Sequence, residues 1–164
     1  MILVMVGSFR FDELIERVDA LVGADVFGDE PVIAQVGSGD YLPKHMEYFR
    51  YRPDIAVLYD QARLAICHGG PATMSAFIRR GCPFVAVANP ALADDHQPDT
   101  LAAMHRRGWC MWCQSLDDLA EAVRRAVALP VPDTHRELSR SIAHFFQEQI
   151  GARRRGRRRI AVPI

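Results

Sequence analysis

The chain switches repeatedly between two kinds of apolar pattern, and that alternation restricts it to few folds. Short continuous apolar runs end in glycine or a small polar residue: "ILVMVG" at 2–7, "PVIAQVG" at 31–37, "RLAICHGG" at 63–70 and "CPFVAVANP" at 82–90. Such runs are strands covered on both faces. Segments of helical spacing lie between them. "RFDELIERVDALVG" sets Phe11, Leu14, Ile15, Val18, Leu21 and Val22 on one stripe, with Gly23 expected to end it. "PATMSAFIRRG", "DDHQPDTLAAMHRRG" and "SLDDLAEAVRRAVAL" repeat the pattern, the last with Ser115 and Asp118 spaced as a capping box. "WCMWC" reads as a short strand, and "DTHRELSRSIAHFFQEQIG" as a closing helix. The stretch 40–62 is less regular and predicts a loop, a weak strand and a short helical turn. Strand–helix alternation predicts an α/β fold, a parallel sheet with helices on both faces.

With 164 residues, the chain predicts one domain over 1–150 and a basic tail over 151–164, expected to be disordered. The tail holds Arg153 to Arg155 and Arg157 to Arg159 and no acid; without those six the count is 14 basic (20 − 6) against 20 acidic residues. The body is therefore acidic, which argues against nucleic-acid binding by the domain, while the tail suits an anionic membrane surface or remains simply solvated. No apolar run approaches the ~20 residues that cross a bilayer, and "MILVMVGS" is short and uncharged for a signal peptide. A cytoplasmic location is expected, with recruitment to the cytoplasmic face of a membrane. Cys67 and Cys82 sit in apolar runs as reduced thiols. Cys110 and Cys113 have the spacing of a zinc or redox half-site, but no second pair accompanies them, and a strand would point them to opposite faces.

Ligands of parallel α/β sheets bind beyond the carboxyl ends of the strands. The residues there are Gly7-Ser8, Gly37-Ser38-Gly39, His68-Gly69-Gly70 and Asn89-Pro90. At 68–73 two glycines allow close backbone approach, Pro71 suits a first helical turn, and the helix start offers free N–H groups to an anion. Thr73 adds a hydroxyl. His68 either donates to a phosphate or bonds a neighbouring carbonyl. The turn lacks the lysine of a P-loop and the G-x-G-x-x-G spacing. "DDHQ" at 94–97 opens the next helix; one of Asp94 and Asp95 is a plain N-cap, while His96 and Gln97 suit a ligand rich in hydroxyls.

The blocks "VMVGSFRFDELIERVDAL", "IAQVGSGDYLP", "CHGGPATMSAFIRRGCPFVAVANP" and "DDHQPDTLAAMHRRG", in this order, resemble the C-terminal, donor-binding half of the family 28 glycosyltransferases. The resemblance extends to the small soluble subunits of two-part N-acetylglucosaminyltransferases, of the dolichol pathway and of bacterial exopolysaccharide assembly. It implies a Rossmann-like domain, one half of a GT-B fold, that binds a nucleotide diphosphate sugar, with UDP-sugar expected. By position it implies donor contacts from Gly7, Ser8, His68, Gly69, Gly70, Thr73, Asn89, His96 and Gln97. It also implies inverting transfer to a lipid-linked acceptor, with no metal or other cofactor. The catalytic base would lie on a membrane-associated, acceptor-binding partner subunit. One departure stands out: Ala76 occupies the place of an acid that in the family bonds the nucleotide ribose. A non-catalytic subunit that binds nucleotide sugar or acts as a scaffold is the alternative this departure favours.

Overall fold

The structure, a computed structural model, describes residues 1–92, 97–129 and 144. Six parallel strands form one sheet in the order β3-β2-β1-β4-β5-β6. They are β1 (Ile2–Met5), β2 (Val32–Gln35), β3 (Glu47–Phe49), β4 (Leu64–His68), β5 (Phe84–Val87) and β6 (Met111–Cys113). The helices among the described residues are α1 (Asp12–Gly23), α2 (Ile55–Gln61), α3 (Pro71–Arg80), α4 (Gln97–Arg106) and α5 (Leu119–Val127). This is the doubly wound order of Rossmann-type sheets, in which the direction of winding reverses between β1 and β4.

The period-2 rule of strands divides the apolar residues into two cores. Ile2, Val4, Leu64, Ile66, Val85, Met111 and Cys113 face α1 and α5, meeting Leu14, Ile15, Val18, Leu119 and Val123. Leu3, Met5, Ala65, Cys67, Phe84 and Ala86 face the other way, toward Leu58 of α2, Met74 and Phe77 of α3, and Leu101 and Met104 of α4. Both faces are covered, so the central strands read as unbroken apolar runs. Cys110 and Cys113 fall in opposite cores, as a strand requires. All four cysteines are free and buried. Burial pushes the thiols of Cys82 and Cys110 up to about 11 and about 12, respectively, so they stay protonated.

α1 ends at Gly23 as expected, with Gly23 as its last helical residue and not as a left-handed cap; the left-handed residue beyond it is Asp25, at φ 57°. Gly23 is small for another reason, because a Cβ there would lie 3.1 Å from the His45 ring. Ser115 and Asp118 do not form a reciprocal box. The Ser115 hydroxyl accepts from the Asp117 amide across a single 3₁₀ turn at Leu116–Asp118, and α5 begins after it. The expected helix over 133–151 and the tail over 151–164 lie outside the described residues, apart from the lone position 144.

No helix joins β2 to β3. Carboxylates on α1 organise that connection instead. Asp12 accepts from the amides of Asp40 (3.0 Å) and Tyr41 (3.3 Å). Asp19, fully buried, accepts from the Tyr41 hydroxyl (2.8 Å) and from the amides of Lys44 (2.9 Å) and His45 (2.8 Å). Burial works against the Asp19 charge, but those three donors outweigh it and hold the carboxyl below its ordinary range.

Candidate functional site

The carboxyl ends of β1 and β4 lie side by side at the switch point, with Met5 opposite Cys67 in register. β1 delivers Gly7 and Ser8 to this edge, and β4 delivers His68, Gly69 and Gly70. Gly7 takes φ +66°, which L side chains avoid, and a Cβ on it would sit 3.2 Å from His68 Cε1. A Cβ on Gly70 would fall 2.5 Å from His68 Nε2. The imidazole thus occupies the space that both glycines vacate.

The His68 ring is buried, and its Nδ1 donates to the Met5 carbonyl at 3.2 Å. A neighbouring carbonyl therefore takes one of its nitrogens, as one of the two readings anticipated. The other nitrogen, Nε2, points toward the glycine turn. Burial lowers the imidazole pKa below 6.5, with the Met5 hydrogen bond opposing. The ring is neutral near pH 7.

α3 starts at Pro71 with Gly70 as its N-cap, and no side chain caps it. The amides of Ala72 and Thr73 therefore open onto the switch point, with the positive end of the helix dipole behind them. The Thr73 side chain does not join them. It is buried and lies beside the Tyr59 hydroxyl on α2.

Gln97 opens α4, and its Cγ would be 3.0 Å from a Cβ on Gly69, so this glycine makes room for the glutamine stem. Gln97 Oε1 accepts from the Asn89 amide at 2.7 Å. Asn89 is buried and ties two loops together: its Nδ2 donates to the Arg10 carbonyl at 2.9 Å, and its Oδ1 accepts from the Ala91 amide at 3.0 Å. Asn89 acts as a brace between the loops after β1 and β5. His96, with Asp94 and Asp95, lies outside the described residues.

Gly7, Ser8, His68, Gly69, Gly70, Asn89 and Gln97 are thus assembled at one sheet edge, and Thr73 is turned away from it. A lock that sequence reasoning missed holds the neighbouring loops. Gly37, at φ +57°, lets the Phe9 and Gly7 carbonyls approach so closely that any Cβ would overlap them. The Arg50 guanidinium donates to the carbonyls of Gly37 (3.0 Å) and Gly39 (2.8 Å). Arg10 pairs with Asp12 (2.7 Å) and Asp40 (3.2 Å). The glycines of "GSG" were a visible signal, but their carbonyl partners come from a strand end eleven or more residues away. Among the described residues no group of three or more His, Cys, Asp or Glu side chains is placed to hold a metal ion.

A doubly wound parallel sheet with an uncapped helix start at its switch point places the chain among the Rossmann-type α/β domains. Solved structures share the fold. A kitacinnamycin glycosyltransferase superposes with a TM-score of 0.65 at 22% identity, over 88% of this chain and 39% of that one. The solution structure of ALG13 gives a TM-score of 0.60 at 15% identity, over 86% of this chain and 93% of that one. The chain belongs to glycosyltransferase family 28 as a C-terminal domain, the family model matching residues 1–150. Among curated relatives, the UDP-N-acetylglucosamine transferase subunit ALG13 of Mus musculus is 30% identical over 120 residues, 67% of this chain and 10% of that protein. A Gloeobacter violaceus UDP-N-acetylglucosamine–N-acetylmuramyl-(pentapeptide) pyrophosphoryl-undecaprenol N-acetylglucosamine transferase is 32% identical over 85 residues, 47% of this chain and 24% of that protein. The chain thus spans only a small part of these two relatives.

Proposed function

We propose that the chain is the donor-binding subunit of a two-component inverting glycosyltransferase that takes its sugar from a UDP-sugar. The observation that carries this reading is the turn at 68–73, where two glycines and an uncapped helix start meet at the switch point of the sheet. The diphosphate rests on the amides of Ala72 and Thr73, with His68 Nε2 beside it. The Gln97 amide group, fixed by the Asn89 amide, lies on the β5 side of the turn, within reach of the donor's hydroxyls. The family and the ALG13 relatives, which are named as UDP-N-acetylglucosamine transferase subunits, favour N-acetylglucosamine as the sugar.

In the reaction, an acceptor hydroxyl loses its proton to a base and attacks the anomeric carbon. The bond to the diphosphate breaks, and fixed N–H dipoles of α3 stabilise the departing charge. This assigns no step to a metal. The base and the lipid-linked acceptor belong to a membrane-associated partner subunit, and Arg153 to Arg159 hold the pair near anionic lipid on the cytoplasmic face. No described helix is long and apolar enough to cross a membrane. Calorimetry with uridine diphosphate tests the donor site, and a transfer assay on the co-purified pair, with a panel of UDP-sugars and with chelator added, tests the activity. No binding at millimolar ligand refutes the site, and loss of transfer on chelation refutes metal independence.

A second reading, a non-catalytic nucleotide-sugar-binding or scaffold subunit, is favoured by Ala76, which is buried and carries no carboxylate. Binding without transfer in the assembled pair would select it.

A further inference from the structure

Phe9 is the one large apolar side chain that the loop after β1 turns outward, and it is 51% exposed. An exposed phenylalanine on a mobile loop would need no explanation. This loop is fixed on both sides of it. The Phe9 carbonyl packs where only a glycine at 37 leaves room. The next carbonyl, that of Arg10, accepts from the buried Asn89 side chain at 2.9 Å. Arg10 is held by Asp12 and Asp40, and Phe11 is buried in the core. The Phe9 ring meets the His68 ring edge to face, with centroids 6.3 Å apart and planes at 61°. A rigid aromatic face is therefore presented to solvent directly beside the glycine turn, on the β1 side of the switch point.

From this geometry, and resting on the donor-site reading above, we infer that Phe9 is a stacking platform for the apolar face of a pyranose ring. The axial C–H groups of a hexopyranose form a flat apolar patch that a π face receives, while its hydroxyls stay free for polar partners such as Gln97 on the opposite side of the turn. Phe9 supplies the apolar wall of a site whose other walls are amides, an imidazole and a carboxamide. The pyranose is that of the donor or that of the acceptor, which the partner subunit would bring to the donor's anomeric carbon.

The test uses the full chain and the variants Phe9→Ala and Phe9→Trp. Calorimetry compares uridine diphosphate with UDP-N-acetylglucosamine. Saturation-transfer NMR then reads methyl β-N-acetylglucosaminide in the presence of saturating uridine diphosphate. Phe9→Ala is expected to leave the affinity for uridine diphosphate unchanged and to weaken the pyranose ligand about three- to tenfold, with Phe9→Trp restoring it. Weakening of the UDP-sugar assigns the ring to the donor; weakening of the methyl glycoside assigns it to the acceptor. Unchanged affinity for both sugars, or an equal loss for uridine diphosphate and its sugar, overturns the inference while leaving the donor site standing. Absence of uridine diphosphate binding by the unmodified chain overturns the donor site and the inference together.

Discussion

Donor binding should be linked to a proton at His68. Its Nδ1 donates to the Met5 carbonyl, so in the neutral ring the lone pair lies on Nε2, the nitrogen facing Gly70. Burial depresses the pKa from its ordinary 6.5, and at pH 7.5 the neutral form prevails. A diphosphate oxygen brought against that nitrogen sets lone pair against lone pair unless Nε2 takes up a proton, and a nearby anion favours the imidazolium. Affinity is therefore expected to rise as pH falls, by up to about tenfold per pH unit between the depressed pKa of the free protein and the raised pKa of the complex. UDP-N-acetylglucosamine is the ligand for the test, because its diphosphate is esterified at both ends and has no ionisation near neutral pH. The terminal phosphate of free uridine diphosphate titrates near pH ~6 and would confuse the slope. Calorimetry from pH 5.5 to 8.5, in two buffers of different ionisation enthalpy, reads both affinity and protons taken up. His68→Asn should flatten the slope and leave the part of the affinity owed to the α3 amides. An affinity constant across the range, with no buffer-dependent heat, would refute the reasoning and place the diphosphate on the helix start alone.

Gly70→Val puts a Cβ 2.5 Å from His68 Nε2 and should abolish UDP-sugar binding by calorimetry, at about 1–3 kcal/mol in urea unfolding; native affinity in this variant would remove the turn from the site. Asp19→Ala leaves two amides and the Tyr41 hydroxyl without their acceptor and should cost about 2–5 kcal/mol in urea unfolding. Because the native Asp19 carboxyl titrates below its unfolded value of about 3.9, its stabilisation is complete above that pH and is lost as pH falls through the native value. Urea midpoints measured from pH 2 to 7 should show that loss in the native chain and a smaller one in Asp19→Ala. Deletion of residues 153–164 should weaken binding to liposomes containing phosphatidylserine, and unchanged binding would sink the role given to the arginines.

The strand–helix alternation made the architecture readable because burial on both sheet faces leaves β1, β4 and β5 without polar interruption. Position relative to the strand ends then singled out the glycine turn. What the sequence left hidden is long-range and polar. Asp12 and Asp19 look like ordinary residues of an amphipathic helix, yet they replace the missing β2–β3 helix by holding amides 25 to 29 residues away and the Tyr41 hydroxyl. Asn89 follows a strand, but its role as a brace, donating to the Arg10 carbonyl and accepting from the Ala91 amide, is not visible in any periodicity. Thr73 shows the same limit. A helix-start threonine suggests an anion contact, but the rotation of α3 carries this one into the seam with α2. Side-chain commitments across elements depend on helix rotation and loop path, neither of which periodicity encodes.

That rotation also bears on Ala76. Thr73, Ala76 and Arg80 are spaced by three and four residues and so share one stripe of α3. The stripe faces Tyr59: Thr73 lies beside its hydroxyl, and the Arg80 guanidinium lies 5.2 Å from its ring centroid while pairing with Asp60 at 2.6 Å. Tyr59 in turn packs edge to face on Phe77, with centroids 4.9 Å apart. A small residue at 76 is what such a seam requires, since a longer side chain between Thr73 and Arg80 would compete with the tyrosine. The missing acid and the position of Tyr59 are then one feature rather than two. Ala76→Glu alone should therefore lose about 1–3 kcal/mol of stability without gaining affinity for uridine diphosphate. Adding Tyr59→Ala vacates the seam and should raise affinity over the single variant by roughly ten- to a hundredfold, the value of a carboxylate-to-hydroxyl bond of about 1.5–3 kcal/mol. Calorimetry and urea unfolding on the two variants read both effects. A gain in affinity from Ala76→Glu alone, at native stability, would show that position 76 already opens to the nucleotide and that Tyr59 has no part in its loss.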